Sequence, residues 1–241
     1  MNSICIATYN GERYIEELLR SILCQIKADD EIIISDDGST DKTLDVIASV
    51  ADHRISVFRH KKTFLQQNFE NALIHAKGDT IFLADQDDVW LPGKYEACIQ
   101  ALKQYDLVCT NSSMTDKNLN IINPDFFSIY NSGKGILKNI CLSTYYGACM
   151  AFRRSVLQAA LPLPPTKEIG HDLWLGLVAE TIGNVKFIPT PYLLYRRHDA
   201  TSTRAENIFK RSNRPLLQKI KTRLIITYYI SQFKLRYAKR K

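Results

Sequence analysis

Three aspartates within four residues, Asp85-Gln86-Asp87-Asp88, follow the apolar run Thr80-Ile81-Phe82-Leu83-Ala84 and precede Val89-Trp90-Leu91-Pro92. Carboxylates this close repel one another and stay ionised together only where a cation or cationic ligand neutralises them. In an extended backbone Asp85 and Asp87 point to the same face, so one divalent ion, or an ion and a ribose, can be held between them. That suits hard-cation chemistry on a diphosphate. Two more polar clusters follow apolar runs: Thr8-Tyr9-Asn10-Gly11-Glu12 and Asp36-Asp37-Gly38-Ser39-Thr40-Asp41. The first reads equally as a ligand loop and as a strand-to-helix turn capped by Asn10. In the second, Gly38 permits a turn and Ser39, Thr40 or Asp41 can cap a helix, which leaves the adjacent carboxylates Asp36 and Asp37 without a structural need.

These clusters need a frame, and the hydrophobic pattern supplies one. Strand patterns at Ser3–Thr8, Glu31–Ser35, Ile55–Arg59, Thr80–Ala84 and Leu107–Thr110 alternate with helical spacing at Glu12–Cys24, Asp41–Ala51, Asn68–Ala76 and from Pro92 to about Gln104. Such alternation predicts an α/β fold with a mainly parallel sheet flanked by helices. In such sheets ligands bind beyond the carboxyl ends of the strands, so one crevice would collect all three clusters. From Asn111 the regularity fades. Gly147–Phe152 reads as a later strand able to join the sheet in either direction, Gly170–Ile182 as a helix, Asn184–Ile188 and Tyr192–Tyr195 as short extended runs, and Pro215–Tyr237 as a basic amphipathic helix.

The net charge of +7 is unevenly distributed. Residues 196–241 hold fourteen of the 32 Lys and Arg but only Asp199 and Glu206 as acids, so the first 195 residues are mildly acidic. A basic module on a nucleic acid or a membrane surface is therefore one reading of the tail, and large apolar residues among its cations favour the bilayer over RNA. No uncharged apolar run is long enough to span a membrane, and the N-terminus reads as a first strand rather than a signal peptide, so cytosolic residence is expected. The six cysteines are scattered singly in apolar contexts, which predicts buried reduced thiols rather than disulfides or zinc ligands. Clustered aspartates at a strand end also occur where an aspartyl nucleophile transfers phosphoryl groups, but here the motif lies on the fourth strand and Val89 follows it. A dinucleotide-dependent dehydrogenase lacks its Gly-x-Gly-x-x-Gly.

The order Ala7-Thr8-Tyr9-Asn10, Asp36 to Asp41, Gly78-Asp79 and Asp85-Gln86-Asp87-Asp88 resembles the inverting glycosyltransferases of family 2, which have the GT-A fold. The resemblance covers about residues 1–200, with a nucleotide-binding half over 1–110, an acceptor-binding half over 111–200 and a basic C-terminal segment over 201–241. It implies that Thr8, Tyr9 and Glu12 line the nucleotide pocket, that Asp36 contacts the base, and that Asp85 and Asp87 form the Asp-x-Asp motif on ribose and metal. Gly170-His171-Asp172-Leu173-Trp174 looks like the family's acidic motif, with His-Asp where many relatives carry Glu-Asp, which makes Asp172 the general base. His198 matches a metal-binding position, and Arg196 and Arg197 can pair with phosphate or equally begin the basic tail. The implied cofactor is Mn²⁺ or Mg²⁺. The implied partners are a nucleoside diphosphate sugar and a glycan or polyprenyl-diphosphate-linked acceptor, at the cytoplasmic face of an anionic membrane in bacterial surface-polysaccharide assembly, with no nucleic acid.

Overall fold

The computed structural model describes residues 1–61, 65–198 and 215–239. Four parallel strands form its first half: β1 (Asn2–Thr8), β2 (Glu31–Asp36), β3 (Ile55–Arg59) and β4 (Thr80–Asp85), in the order β3-β2-β1-β4. The helices α1 (Ile15–Leu23), α2 (Thr43–Ser49) and α3 (Leu65–His75) connect them. β1, β2 and β4 read as continuous apolar runs because both sheet faces are covered. Alternate residues divide between two cores. Ile4, Ile6, Ile32, Ile34, Phe82 and Ala84 face α1, while Cys5, Ala7, Ile33, Ile81 and Leu83 face α3.

After β5 (Val89–Trp90) and α4 (Lys94–Ala101), β6 (Leu107–Thr115) is fully buried along its length. The sequence predicts this strand only as far as Thr110, because Asn111, Ser112, Ser113 and Thr115 break the apolar pattern. They are tolerated because partners meet them: Asn111 Nδ2 donates to Asp125 Oδ1 and to Pro189 O, and Ser113 Oγ donates to Pro124 O. β7 (Ile121–Asn123), α5 (Phe126–Tyr130) and α6 (Ile136–Cys141) follow as short elements. β8 (Met150–Arg153) then runs antiparallel to both β4 and β6, which settles its direction. α7 (Arg154–Ala160) and α8 (His171–Ile182) lead to β9 (Val185–Arg196), one strand with register shifts where the sequence suggests two short runs. β9 lies parallel to β6 and antiparallel to β5.

The last element, α9 (Leu216–Ala238), packs on α8 and α6 and adds Ile226 and Ile230 to the larger core. It is therefore structural as well as basic. Among the described residues no helix is long and apolar enough to cross a membrane. All six cysteines are free, but Cys24 and Cys141 are exposed, contrary to the expectation of uniform burial, because each sits at the C-terminal end of a short surface helix. Burial raises the thiol pKa of the other four, that of Cys98 to about 12 and that of Cys149 to about 11.

Candidate active site

The three polar clusters end adjacent strands. Thr8 pairs in register with Asp36 across β1 and β2, and Ala7 with Asp85 across β1 and β4. The two loops after β1 and β2 are stitched to each other. Thr40 N donates to Asn10 Oδ1, Asn10 N to Ser39 Oγ, Gly11 N to Thr43 Oγ1, and Lys42 N to the Glu12 carboxylate. Asp36 is buried, and its carboxylate accepts from Thr8 Oγ1, from Ser39 Oγ and from the backbone N–H groups of Gly38 and Ser39. It organises the loop it ends. Its neighbour Asp37 pairs with His60 Nδ1 at 3.1 Å. Gln86 joins the β4 loop to this assembly through a reciprocal pair with Tyr9, accepting from Tyr9 N at 2.9 Å and donating to Tyr9 O at 3.1 Å. A Cβ on Gly11 would overlap the Gln86 amide, so the Gln86–Tyr9 pair depends on the small residue there.

The acidic motif is a turn and not an extended run: β4 ends at Asp85, and Asp88 N donates back to Asp85 O. The alternation expected for Asp85 and Asp87 is lost because the chain must reverse toward β5. The three carboxylates separate in role. Asp85 faces a cavity. Asp87 Oδ2 lies 2.8 Å from His198 Nε2, and the His198 ring meets that of Tyr14 at 4.8 Å, tilted by 33°. Asp88 is buried and accepts from Arg196 N, while its other oxygen has no partner among the described atoms. Burial, then the charges of Asp87 and Asp172, push Asp85 up to about 7. Burial together with Asp87 and Asp85 pushes Asp88 well above the usual range.

Part of the positive charge these groups need comes from the protein. Lys94, fully buried at the start of α4, donates to Ala148 O at 2.5 Å and lies 4.8 Å from the Trp90 ring, on the side of the motif where its charge stabilises Asp85 and Asp88. Its own pKa is lowered by burial. Lys94 stands on the buried side of α4 with Tyr95 and Cys98, and a lysine one turn before an apolar position after an acidic motif is the sequence signal that marks it. Arg196, which by sequence can equally be a phosphate contact or the start of the basic tail, is spent on the fold: Nε donates to Asp87 O, Nη1 to Lys117 O and Nη2 to the Glu17 carboxylate, with the guanidinium 4.7 Å over Tyr14. It fastens the end of β9 to the acidic turn.

Across from that turn, α8 begins with His171 and Asp172. A cavity of about 370 Å³ brings Asp85 and Asp172 together, with Ser112, Phe126, Tyr146, Lys167 and Tyr195 among its walls. Asp172 Oδ1 accepts from Leu173 N, which turns the carboxylate at the helix start and leaves Oδ2 for a second partner. His171 stacks on Phe69 at 4.0 Å, and its buried Nε2, without a partner among the described atoms, is directed at Gly147. Burial lowers its pKa and keeps it neutral. Phe126, Tyr130, Tyr146 and Tyr195 form an aromatic cluster beside the cavity. No local sequence signal marks this wall, since its members come from three separate segments: α5, the turn at Tyr146 and the end of β9. Thr8, Tyr9, Glu12, Asp36, Asp87 and His198 stand along the strand-end edge or beside the turn and do not line the cavity itself. Trp174 is core: Nε1 donates to Ala160 O.

Comparison with known proteins bears on this arrangement. The family described as Glycosyl transferase family 2 matches residues 3–161. An uncharacterized glycosyltransferase of Nostoc is 27% identical over 218 residues, 83% of this chain and 66% of its own length. The Escherichia coli UDP-Glc:alpha-D-GlcNAc-diphosphoundecaprenol beta-1,3-glucosyltransferase WfaP is 26% identical over 214 residues, 88% of this chain and 84% of its own length. The chain spans 44% of another relative, the putative glycosyltransferase EpsE of Bacillus subtilis, which is 34% identical over 122 residues, 48% of this chain. Among solved structures, S. aureus TarS 1-349 in complex with UDP-GlcNAc superposes with a TM-score of 0.69 at 18% identity, over 98% of this chain and 71% of that one. The Pyrobaculum calidifontis mannosyltransferase PcManGT in complex with GDP-Man and Mn²⁺ does so with a TM-score of 0.60 at 20% identity, over 78% of this chain and 54% of that one. Both are alike in fold.

Proposed function

We propose that this chain, which belongs to glycosyl transferase family 2, moves a sugar from a nucleoside diphosphate sugar to a hydroxyl of a glycan or lipid-linked acceptor, with inversion at the anomeric carbon. The observation that carries this reading is the single cavity shared by Asp85, on the turn that ends β4, and Asp172, at the start of α8. Donor-side and acceptor-side carboxylates are thus separated by a space for the reacting sugar. The acceptor hydroxyl gives its proton to Asp172 as its oxygen attacks the anomeric carbon. The bond from that carbon to the diphosphate oxygen breaks on the opposite face, and the electron pair leaves with the diphosphate. Asp172 is suited to the task because Leu173 N holds one carboxylate oxygen and fixes the direction of the other.

On the donor side, Thr8, Tyr9, Glu12 and Asp36 would shape the nucleotide pocket, with Asp85 toward the ribose. The adjacent Asp87 carboxylate and His198 imidazole, 2.8 Å apart, are a donor pair that fits Mn²⁺ or Mg²⁺, although among the described residues no set of three protein ligands converges. A diphosphate would have to complete such a site, and a bound ion would neutralise charge on the leaving group. WfaP is named for an undecaprenol diphosphate-linked acceptor, which supports an acceptor of that class here; a lipid-linked acceptor would place the work at a membrane surface, for which we propose the cytoplasmic face. The test is nucleotide-sugar turnover across a donor panel with and without Mn²⁺. Turnover of at least one donor supports the reading, and turnover undiminished in excess chelator removes the metal from it.

A further inference from the structure

α9 has two apolar faces, and only one is used. Its inner face is fastened to the body of the protein: Ile226 and Ile230 are buried, Phe233 meets Trp174 edge-on at 5.8 Å, Thr222 Oγ1 donates to the Glu168 carboxylate, and Arg223 donates to Cys141 O. On the opposite side Leu217, Leu224, Tyr228 and Leu235 are 81%, 65%, 59% and 59% exposed, and their spacings of seven, four and seven place them in one stripe along a helix of 3.6 residues per turn. Ile220, 45% exposed, borders it. Lys221, Lys234, Arg236 and Lys239 are exposed around this stripe, and from Pro215 to the end of the chain no acidic residue occurs.

We propose that this outward stripe is a docking face for an anionic phospholipid leaflet, and that α9 holds the whole domain on the membrane in a fixed orientation. The occupant follows from the chemistry. A row of leucine and tyrosine side chains gains by entering the headgroup and acyl boundary, and cations around it gain from the negative surface potential. A second copy docking by the same stripe would set cation against cation with no acid to answer them. Orientation follows from the inner face. Glu168, bonded to α9, adjoins Lys167, which lines the cavity that holds Asp172. A leaflet on the outer face therefore lies about one helix diameter, roughly 10–12 Å, from the segment that walls the acceptor side. The docking face stands independently of the reaction assigned to the cavity.

Deleting α9 would uncover Trp174 and the larger core, so the test uses outward substitutions in the full chain. Leu217→Ser, Leu224→Ser and Leu235→Ser combined should leave thermal unfolding within experimental error. They should lower cosedimentation with phosphatidylglycerol-containing vesicles at 0.1 M salt by roughly tenfold or more, with weak binding to pure phosphatidylcholine in both proteins. Vesicle binding that is absent, or unchanged in the triple variant, overturns the proposal. So does dimerisation of the wild type that the variant abolishes, or RNA binding of equal strength in both proteins with no vesicle binding. Donor turnover in solution, measured alongside, reports on the catalytic reading separately.

Discussion

The two halves of the site are built in opposite ways. On the donor side, loops at the ends of β1, β2 and β4 are joined by side chains that satisfy backbone groups, from Asn10 and Thr43 to the Gln86–Tyr9 pair, and Asp36 serves four donors at once. On the acceptor side, residues 111–172 run through short helices and a wall of aromatic rings around open space. A network of mutually satisfied side-chain and backbone bonds, anchored on the buried Asp36, ties three loops to one arrangement, whereas an aromatic wall can be recut ring by ring without unsatisfied groups. On the proposed reading, the donor half is preformed for a recurring ligand, the nucleoside diphosphate. The acceptor half is where one member of a fold can come to differ from another.

That contrast can be broken by substitutions that act on one half alone. Asp172→Asn preserves shape and the bond from Leu173 but removes the proton acceptor. Transfer should fall on the order of 10² to 10⁴-fold with donor affinity unchanged. Loss of donor binding instead, with normal residual turnover, would move Asp172 to the donor pocket. Next in size, Asp87→Ala removes one member of the Asp87–His198 pair, and we expect a loss on the order of 10² to 10³-fold that added Mn²⁺ does not restore, while circular dichroism stays native. A metal requirement indistinguishable from that of the wild type would exclude Asp87 as a ligand.

A smaller effect should sharpen the picture of the donor loops. Gly11→Ala puts a methyl group against the Gln86 amide, which must swing away and give up its pair with Tyr9, a loss of roughly 1–2 kcal/mol. Donor KM should then rise by roughly five- to tenfold, the range that losing those bonds allows, while acceptor KM stays put. Equal shifts in both would mean that the halves are mechanically one. The smallest effect concerns His171. Its folded pKa lies below the ordinary value, so below about pH 6.5 the unfolded chain takes up a proton that the folded state refuses. Stability from this residue is complete above that pH and declines as pH falls through the window. The decline should be shallower in His171→Phe, as read by urea midpoints between pH 7.5 and 5.

The strands and the three polar clusters were legible because their signals are local: continuous apolar runs, turn residues, and carboxylates too close to be accidental. β6 was legible only to Thr110, since whether Asn111 and Ser113 can be buried depends on Asp125, Pro189 and Pro124, which no window of sequence contains. Lys94 is not legible from its local signal alone, for the related reason that a buried cation is recognised by what it faces. The amphipathic pattern of α9 was readable, but periodicity alone does not say that one of its apolar faces is core and the other open.

What the sequence determined by itself was therefore the α/β order, the strand-end placement of the acidic motif and the basic bias of the C-terminal segment, since hydrophobic period, turn chemistry and charge act over a few residues. The tertiary structure alone decided which carboxylates meet. Asp85 and Asp172, 87 positions apart in the chain, share a cavity because β4 and the start of α8 converge at one sheet edge, and Asp87 meets His198 because Arg196 ties the end of β9 to the acidic turn. Distance along a chain carries no information about distance in space until packing has closed the loops between.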